Sequence, residues 1–294
     1  MYVRPRPAET SAVTESVRRL RARLAKSAAG RALLAPLARD LSPRQWIFLV
    51  GCYNSGTTLL RAMLARHPEV VALPSEGVKL TDALPAPEQF GWHRMWSQCL
   101  DQVRLAPEGE AERAMRVRRH WSLCLPAVAP AILEKSIANT ARMPFLQAHF
   151  RPAHFVCLVR NGYAVAEGIR RKAEPGRRGN TRYGDQYPIA LCADQWRVCD
   201  EVVAADRPDL ERFLEVRYED LTARPAEVLR QITDFLGLSP LPDEAAAGEW
   251  TIHGVRSEVR DMNRQSLERL TRRDLDEIND AAGPALARHG YEIL

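Results

Sequence analysis

The chain has 294 residues, 46% hydrophobic and 27% charged, and a net charge of +5. These proportions exclude a disordered polyelectrolyte and describe a globular protein long enough to bury one large core, or a core with appended helices. The 37 acidic residues are interspersed among the 42 basic ones, so the excess suits a local cation cluster for a small polyanion rather than a nucleic-acid surface. In chain order, residues 11–38 place Val13, Val17, Leu20, Leu24, Leu33, Leu34 and Leu37 among Arg18, Arg19, Arg21, Arg23 and Lys26. That pattern predicts a pair of basic amphipathic helices broken near Gly30, packed on the domain or attached to a membrane surface or acidic partner. Residues 1–40 are read as this helical extension and 41–294 as the main domain. From Trp46 onward short apolar runs alternate with helical stretches. Strands are expected at 46–50, 70–73, 131–135, 154–159 and 213–217, and helices at 57–66, 140–149, 163–172, 189–204, 225–236 and 272–289. This order predicts an α/β fold, three layers α/β/α around a central, mostly parallel sheet. Phe90, Trp92 and Trp96 mark an irregular insertion, and residues 173–188 form a long glycine- and arginine-rich loop of the kind that serves as a lid or binding loop. The six cysteines show no metal-ligand spacing and are expected to be reduced and structural. No apolar segment reaches the length of a membrane span, and no apolar region follows Arg4-Pro5-Arg6-Pro7, so a cytoplasmic protein without an integral membrane segment is expected.

The most informative stretch runs from Trp46 to Arg61: an apolar run, the turn Gly51-Cys52-Tyr53-Asn54-Ser55-Gly56, then the helical Thr57-Thr58-Leu59-Leu60. A strand delivering the chain to a tight loop, with the next helix presenting its free N–H groups, builds a phosphate site. Gly51 and Gly56 keep the spacing of a nucleotide-hydrolysing loop, but Thr57 stands where its lysine would be. A second anion site is expected at Arg160-Asn161-Gly162-Tyr163, at the C-terminal end of the strand His154–Val159, because an arginine there can grip a phosphate bidentately.

The Ser55-Gly56-Thr57-Thr58-Leu59-Leu60-Arg61 run resembles the 5′-phosphosulfate loop of sulfotransferases that use 3′-phosphoadenosine 5′-phosphosulfate, whose fold is P-loop-like. Arg160–Gly168 is similar to their 3′-phosphate segment, and Tyr218-Glu219-Asp220-Leu221 to a segment common in these enzymes. The resemblance covers about 46–238 and implies that Asn54, Ser55, Gly56, Thr57 and Thr58 bind the 5′-phosphosulfate and Arg160 the 3′-phosphate, with no metal. Two positions depart from the pattern. Gly168 occupies the place of a 3′-phosphate-binding serine, leaving that contact to Arg170, Arg171 or the arginine-rich loop. Asn54 occupies the place of a Lys or Arg at the bridging oxygen, leaving that charge to Lys135 or Arg61. The histidine base of cytosolic members falls at Ile137. The resemblance to tyrosylprotein sulfotransferases implies Glu76 as general base, with His93 and His67 as other candidates. The implied reaction is in-line transfer of a sulfuryl group to a hydroxyl on a small molecule, glycan or peptide, with Trp92, Trp96 and Trp121 able to stack on the acceptor. A P-loop phosphotransferase or nucleotide hydrolase, and a non-catalytic nucleotide-binding module, are the alternatives.

Overall fold

The computed structural model describes residues 12–126, 129–241, 250–252, 255–257 and 259–294. Five parallel strands form one sheet: β1 (Gln45–Gly51), β2 (Val70–Ala72), β3 (Ala131–Glu134), β4 (Ala153–Val159) and β5 (Phe213–Arg217), in the order β2-β3-β1-β4-β5. Every residue of β1, and all but the last of β4, is buried, as expected of parallel strands covered on both faces. The two-residue period of β1 divides the core. Trp46, Phe48 and Val50 join one apolar cluster, and Ile47 and Leu49 the other. β6 (Trp250–Ile252) and β7 (Val255–Ser257) pair antiparallel as a separate ribbon.

The helices are α1 (Ala12–Leu24), α2 (Ala28–Leu34), α3 (Thr57–Leu64), α4 (Leu100–Val103), α5 (Ala111–Ser122), α6 (Met143–His149), α7 (Gly162–Ala173), α8 (Ile189–Asp206), α9 (Tyr218–Ala223), α10 (Pro225–Phe235), α11 (Asn263–Leu267) and α12 (Arg272–Arg288). All five expected strands form. The helix expected at 140–149 starts instead as a 3₁₀ turn, Ile137–Arg142, and becomes α-helical only at Met143. Pro144 explains the split, since proline lacks an N–H and fits only the first turn of an α-helix.

Two expectations are corrected. The break between the N-terminal helices falls at Ala25–Ser27, and Ser27 caps α2 by accepting from the Gly30 N–H at 3.0 Å. Gly30 lies within α2, where a Cβ would come 2.0 Å from the carbonyl oxygen of Leu24. It permits close approach of the two helices rather than a break. Ala22, Ala25 and Leu34 are buried in the same cluster as Trp46 and Phe48, so the pair packs on the core. Helix α5 buries Ala114, Val117 and Trp121 at helical spacing. The tryptophans are packing residues: Trp96 and Trp121 are fully buried, and Trp92 stacks on Tyr187 at 6.1 Å. All six cysteines are buried free thiols.

Candidate active site

The loop after β1 folds sharply because three residues take left-handed backbone: Gly51 (φ 126°), Asn54 (φ 61°) and Gly56 (φ 95°). A Cβ at Gly51 would lie 2.5 Å from the Leu158 carbonyl oxygen, and one at Gly56 would lie 2.6 Å from the Tyr218 ring. The loop is pinned at its start by Thr140, whose hydroxyl accepts from the Gly51 N–H and donates to the Gly51 carbonyl, both at 2.9 Å. α3 begins at Thr57 with no side-chain cap, so its first N–H groups remain for a ligand.

Loop, sheet ends and C-terminal segment enclose a cleft of about 620 Å³, a size suited to a nucleotide-sized ligand. Asn54, Gly56, Thr57, Thr58, Glu76, Lys135 and Arg160 all line it. Two expected site residues do not. Ser55 turns inward to a small hollow beneath the loop with Cys52, Cys157 and Cys199, and its hydroxyl is buried without a partner. Gly168 lies behind Asn54: a Cβ there would sit 3.1 Å from both Cβ and Cγ of Asn54.

Arg160 is 8% exposed and held on three sides. Its Nε donates to Asn263 Oδ1 and its Nη1 to the Asn54 carbonyl, each at 2.7 Å, while its guanidinium stacks 4.2 Å from the centre of the Tyr218 ring. Nη2 is buried with no partner. A guanidinium preset by its neighbours with one donor left over is a seat for an anionic oxygen. The Tyr218-Glu219 segment builds this seat. Tyr218 packs on Gly56 and Arg160, while Glu219 accepts from the Asn161 N–H at 3.0 Å, Asn263 Nδ2 at 2.8 Å and the Tyr291 hydroxyl at 3.1 Å.

Glu76 lies just beyond β2, and both its oxygens are engaged: Lys135 Nζ at 2.7 Å on one and Lys79 Nζ at 2.6 Å on the other. Burial pushes its pKa up, but the Lys135 and Lys79 ammonium groups outweigh that and bring it to about 2. A base with a raised pKa is therefore not what this state presents. Lys135 pairs with Glu76, not with its neighbour Glu134. Glu134 is fully buried and receives the Gly77 N–H at 2.7 Å and the Ser136 N–H at 3.1 Å. Arg61 bonds the Leu73 carbonyl and stands off the cleft wall. Arg170 pairs with Asp274 and Arg171 with Glu167, so neither supplies the contact missing at Gly168, and no arginine of the 173–188 loop lines the cleft among the described residues. His67 is a buried structural residue that accepts from the Glu69 N–H at 3.1 Å on Nδ1 and bonds the Ser239 carbonyl at 2.7 Å on Nε2. His93 lines the cleft, but its Nδ1 is bonded to the Ala173 carbonyl at 2.6 Å and burial lowers its pKa.

Sequence reasoning missed Lys79, Arg94 and Lys172, which line the cleft together with Arg260. Lys79 was legible as the i+3 neighbour of Glu76, and Lys172 as one helical turn beyond Gly168 on α7. Among the described residues these bring the wall to six cationic side chains against two carboxylates, Glu76 and Glu88. Burial, then the Arg171, Arg94 and Arg160 charges, bring the pKa of Lys172 down to about 8.

A model of the sulfotransferase family matches residues 45–243. A protein-tyrosine sulfotransferase of Drosophila melanogaster is 28% identical over 198 residues, covering 65% of this chain and 37% of its own length. Protein-tyrosine sulfotransferase A of Caenorhabditis elegans is 22% identical over 282 residues, covering 84% and 67%. The chain thus spans from about a third to two-thirds of the length of these relatives. Sulfotransferase STF9 from Mycobacterium avium shares the fold with a TM-score of 0.57 at 15% identity, over 92% of this chain and 84% of that one.

Proposed function

The chain belongs to the sulfotransferase family, and on that premise we propose that it transfers a sulfuryl group from 3′-phosphoadenosine 5′-phosphosulfate to a phenolic hydroxyl. The donor supplies an activated sulfur whose bond to the 5′-phosphate oxygen breaks as the acceptor oxygen bonds to it. The acceptor's proton passes to a carboxylate, and the leaving bisphosphate keeps the electron pair. The chain's own part is positioning and charge. The N–H groups of the 54–58 loop and the Thr57 and Thr58 hydroxyls receive the 5′ end, Asn54 adds an amide at the bridging position, and Arg160 takes the 3′-phosphate. Ser55 contributes backbone, and Gly168 backs Asn54.

Lys135 is read as the cation that Asn54 does not provide. It is 11% exposed in its side chain, lines the cleft and already holds an anion, Glu76. Its move to the donor would free one Glu76 oxygen and let burial raise the carboxyl toward a useful base. A carboxylate that starts at about 2 is a weak base. It therefore favours an acceptor with an acidic hydroxyl, pKa about 10 for a phenol, over a sugar alcohol. The named activity of the tyrosine sulfotransferase relatives agrees with that choice. Six free thiols suit a reducing compartment such as the cytoplasm.

The observation that carries the donor assignment is the unpaired Nη2 of the otherwise immobilised Arg160. Titration with 3′-phosphoadenosine 5′-phosphate should show binding without magnesium, weakened on the order of 100-fold in Arg160→Ala, since a hydrogen bond to a charged group is worth about 1.5–3 kcal/mol. Binding of ATP with magnesium alone would replace this reading by the phosphotransferase one.

A further inference from the structure

Glu76 is held by two lysines of different standing. Lys135 comes from the end of β3, is nearly buried, and faces the cleft that receives the donor. Lys79 is 58% exposed in its side chain and belongs to the same short turn as Glu76, three residues on. That turn is fixed to the core. The Trp121 indole N–H donates to the Gly77 carbonyl at 3.0 Å, Gly77 N–H to Glu134 at 2.7 Å, Val78 N–H to the Ser136 hydroxyl at 3.1 Å, and Lys79 N–H to the Glu76 carbonyl at 3.0 Å. A Cβ on Gly77 would lie 2.6 Å from the Trp121 ring and 2.8 Å from Glu134, so the turn has no room to shift.

We infer that Lys79 is a positioning residue for Glu76, keeping that carboxylate ionised and aimed into the cleft when Lys135 turns to the anionic donor. This rests on the reading of Glu76 as the base. The other charged or titratable groups around Glu76 are Arg61 and Arg94, which favour its charge, the buried Glu134, and Tyr53, whose raised pKa keeps it neutral. Once Lys135 leaves, Glu76 faces the buried Glu134 and an incoming polyanion, and both promote its protonation. Lys79 is then the one remaining ion-pair contact on Glu76 among the described residues. A protonated Glu76 cannot accept the acceptor's proton, so Lys79 maintains the base without touching either substrate.

Proton uptake on binding of 3′-phosphoadenosine 5′-phosphate tests this without an acceptor. It is measured by calorimetry at pH 5 in buffers of differing ionisation enthalpy. Lys79→Gln should take up about half a proton more than wild type, as for a carboxyl half-protonated at that pH. The surplus should vanish in the Lys79→Gln/Glu76→Gln double variant and in Lys79→Arg. With N-acetyltyrosine amide as acceptor, the ratio of kcat at pH 5 to kcat at pH 8 should fall about twofold in Lys79→Gln. Equal proton uptake in wild type and Lys79→Gln would overturn the role of Lys79. Wild-type turnover in Glu76→Gln would instead overturn the base itself, and failure of the wild type to bind the nucleotide would overturn the donor site.

Discussion

Asn54 and Gly168 each look like a loss when set against the lysine or arginine and the serine expected at their positions. In the fold they touch: the space that a Cβ at 168 would need, 3.1 Å from two carbons of Asn54, is the space that seats the Asn54 side chain. The two departures are one packing event. The Asn54 amide nitrogen is buried without a partner and its carbonyl anchors Arg160, so pushing Asn54 aside disturbs both anion seats. Gly168→Ala should therefore weaken binding of 3′-phosphoadenosine 5′-phosphate about fivefold, or roughly 1 kcal/mol, by forcing a contact tighter than ordinary van der Waals packing. In an Asn54→Gly background the same change should cost nothing, because no side chain remains at 54 to displace. A double-mutant cycle read by titration decides it: a coupling of about 1 kcal/mol supports the pair, and additive effects deny it.

At the scale of elements, Glu219 joins parts far apart in the chain. The N–H of Asn161 opening α7, the Asn263 amide of α11 and the Tyr291 hydroxyl all end on its carboxylate. Replacement by Ala strands three donors, so Glu219→Ala should destabilise the protein by about 2–3 kcal/mol in urea unfolding. It should also weaken nucleotide binding, because Arg160 loses the brace on Asn263. A variant with stability lost and binding intact would deny the second role. The same elements show what a sequence can and cannot reveal. β1 and β4 are near-continuous apolar runs ending in Gly51 and in Arg160, so the strands, their parallel packing and the two anion seats at their ends were legible from local pattern and spacing. Lys79 with Lys135, and Asn54 with Gly168, are pairings across the sheet ends. They depend on the β2-β3-β1-β4 order, which no local period encodes. Trp96 and Trp121 were ambiguous for a related reason: an aromatic ring reads alike in a pocket and in a core, and only burial, here complete, separates the two.

For the whole molecule, a net charge of +5 is modest, but its placement is not. Among the described residues, Lys79, Arg94, Lys135, Arg160, Lys172 and Arg260 converge on one cleft against only Glu76 and Glu88. Such a wall repels itself when empty and is relieved by a polyanion, so binding and folding are coupled: nucleotide at a hundred times its Kd should add about 2.7 kcal/mol to stability. The coupling should be salt-dependent, with affinity dropping between 50 and 500 mM salt as roughly the Debye length shrinks below the cleft's own dimensions. It should also depend on pH with a definite sign. Lys172, brought to about 8 by burial and its cationic neighbours, is charged below that value and discharges above it. A phosphate ligand is fully ionised by about pH 7, so between pH 7 and 9 the change comes from the protein, and affinity should fall as pH rises. The ceiling is about tenfold per pH unit for one linked proton. Lys172→Met should start weaker and show a flatter profile over that range. Titrations at pH 7, 8 and 9 settle the matter: a wild-type affinity that does not move would mean that the anion lies beyond the reach of Lys172, leaving Arg160 and Lys135 to hold it without help from α7.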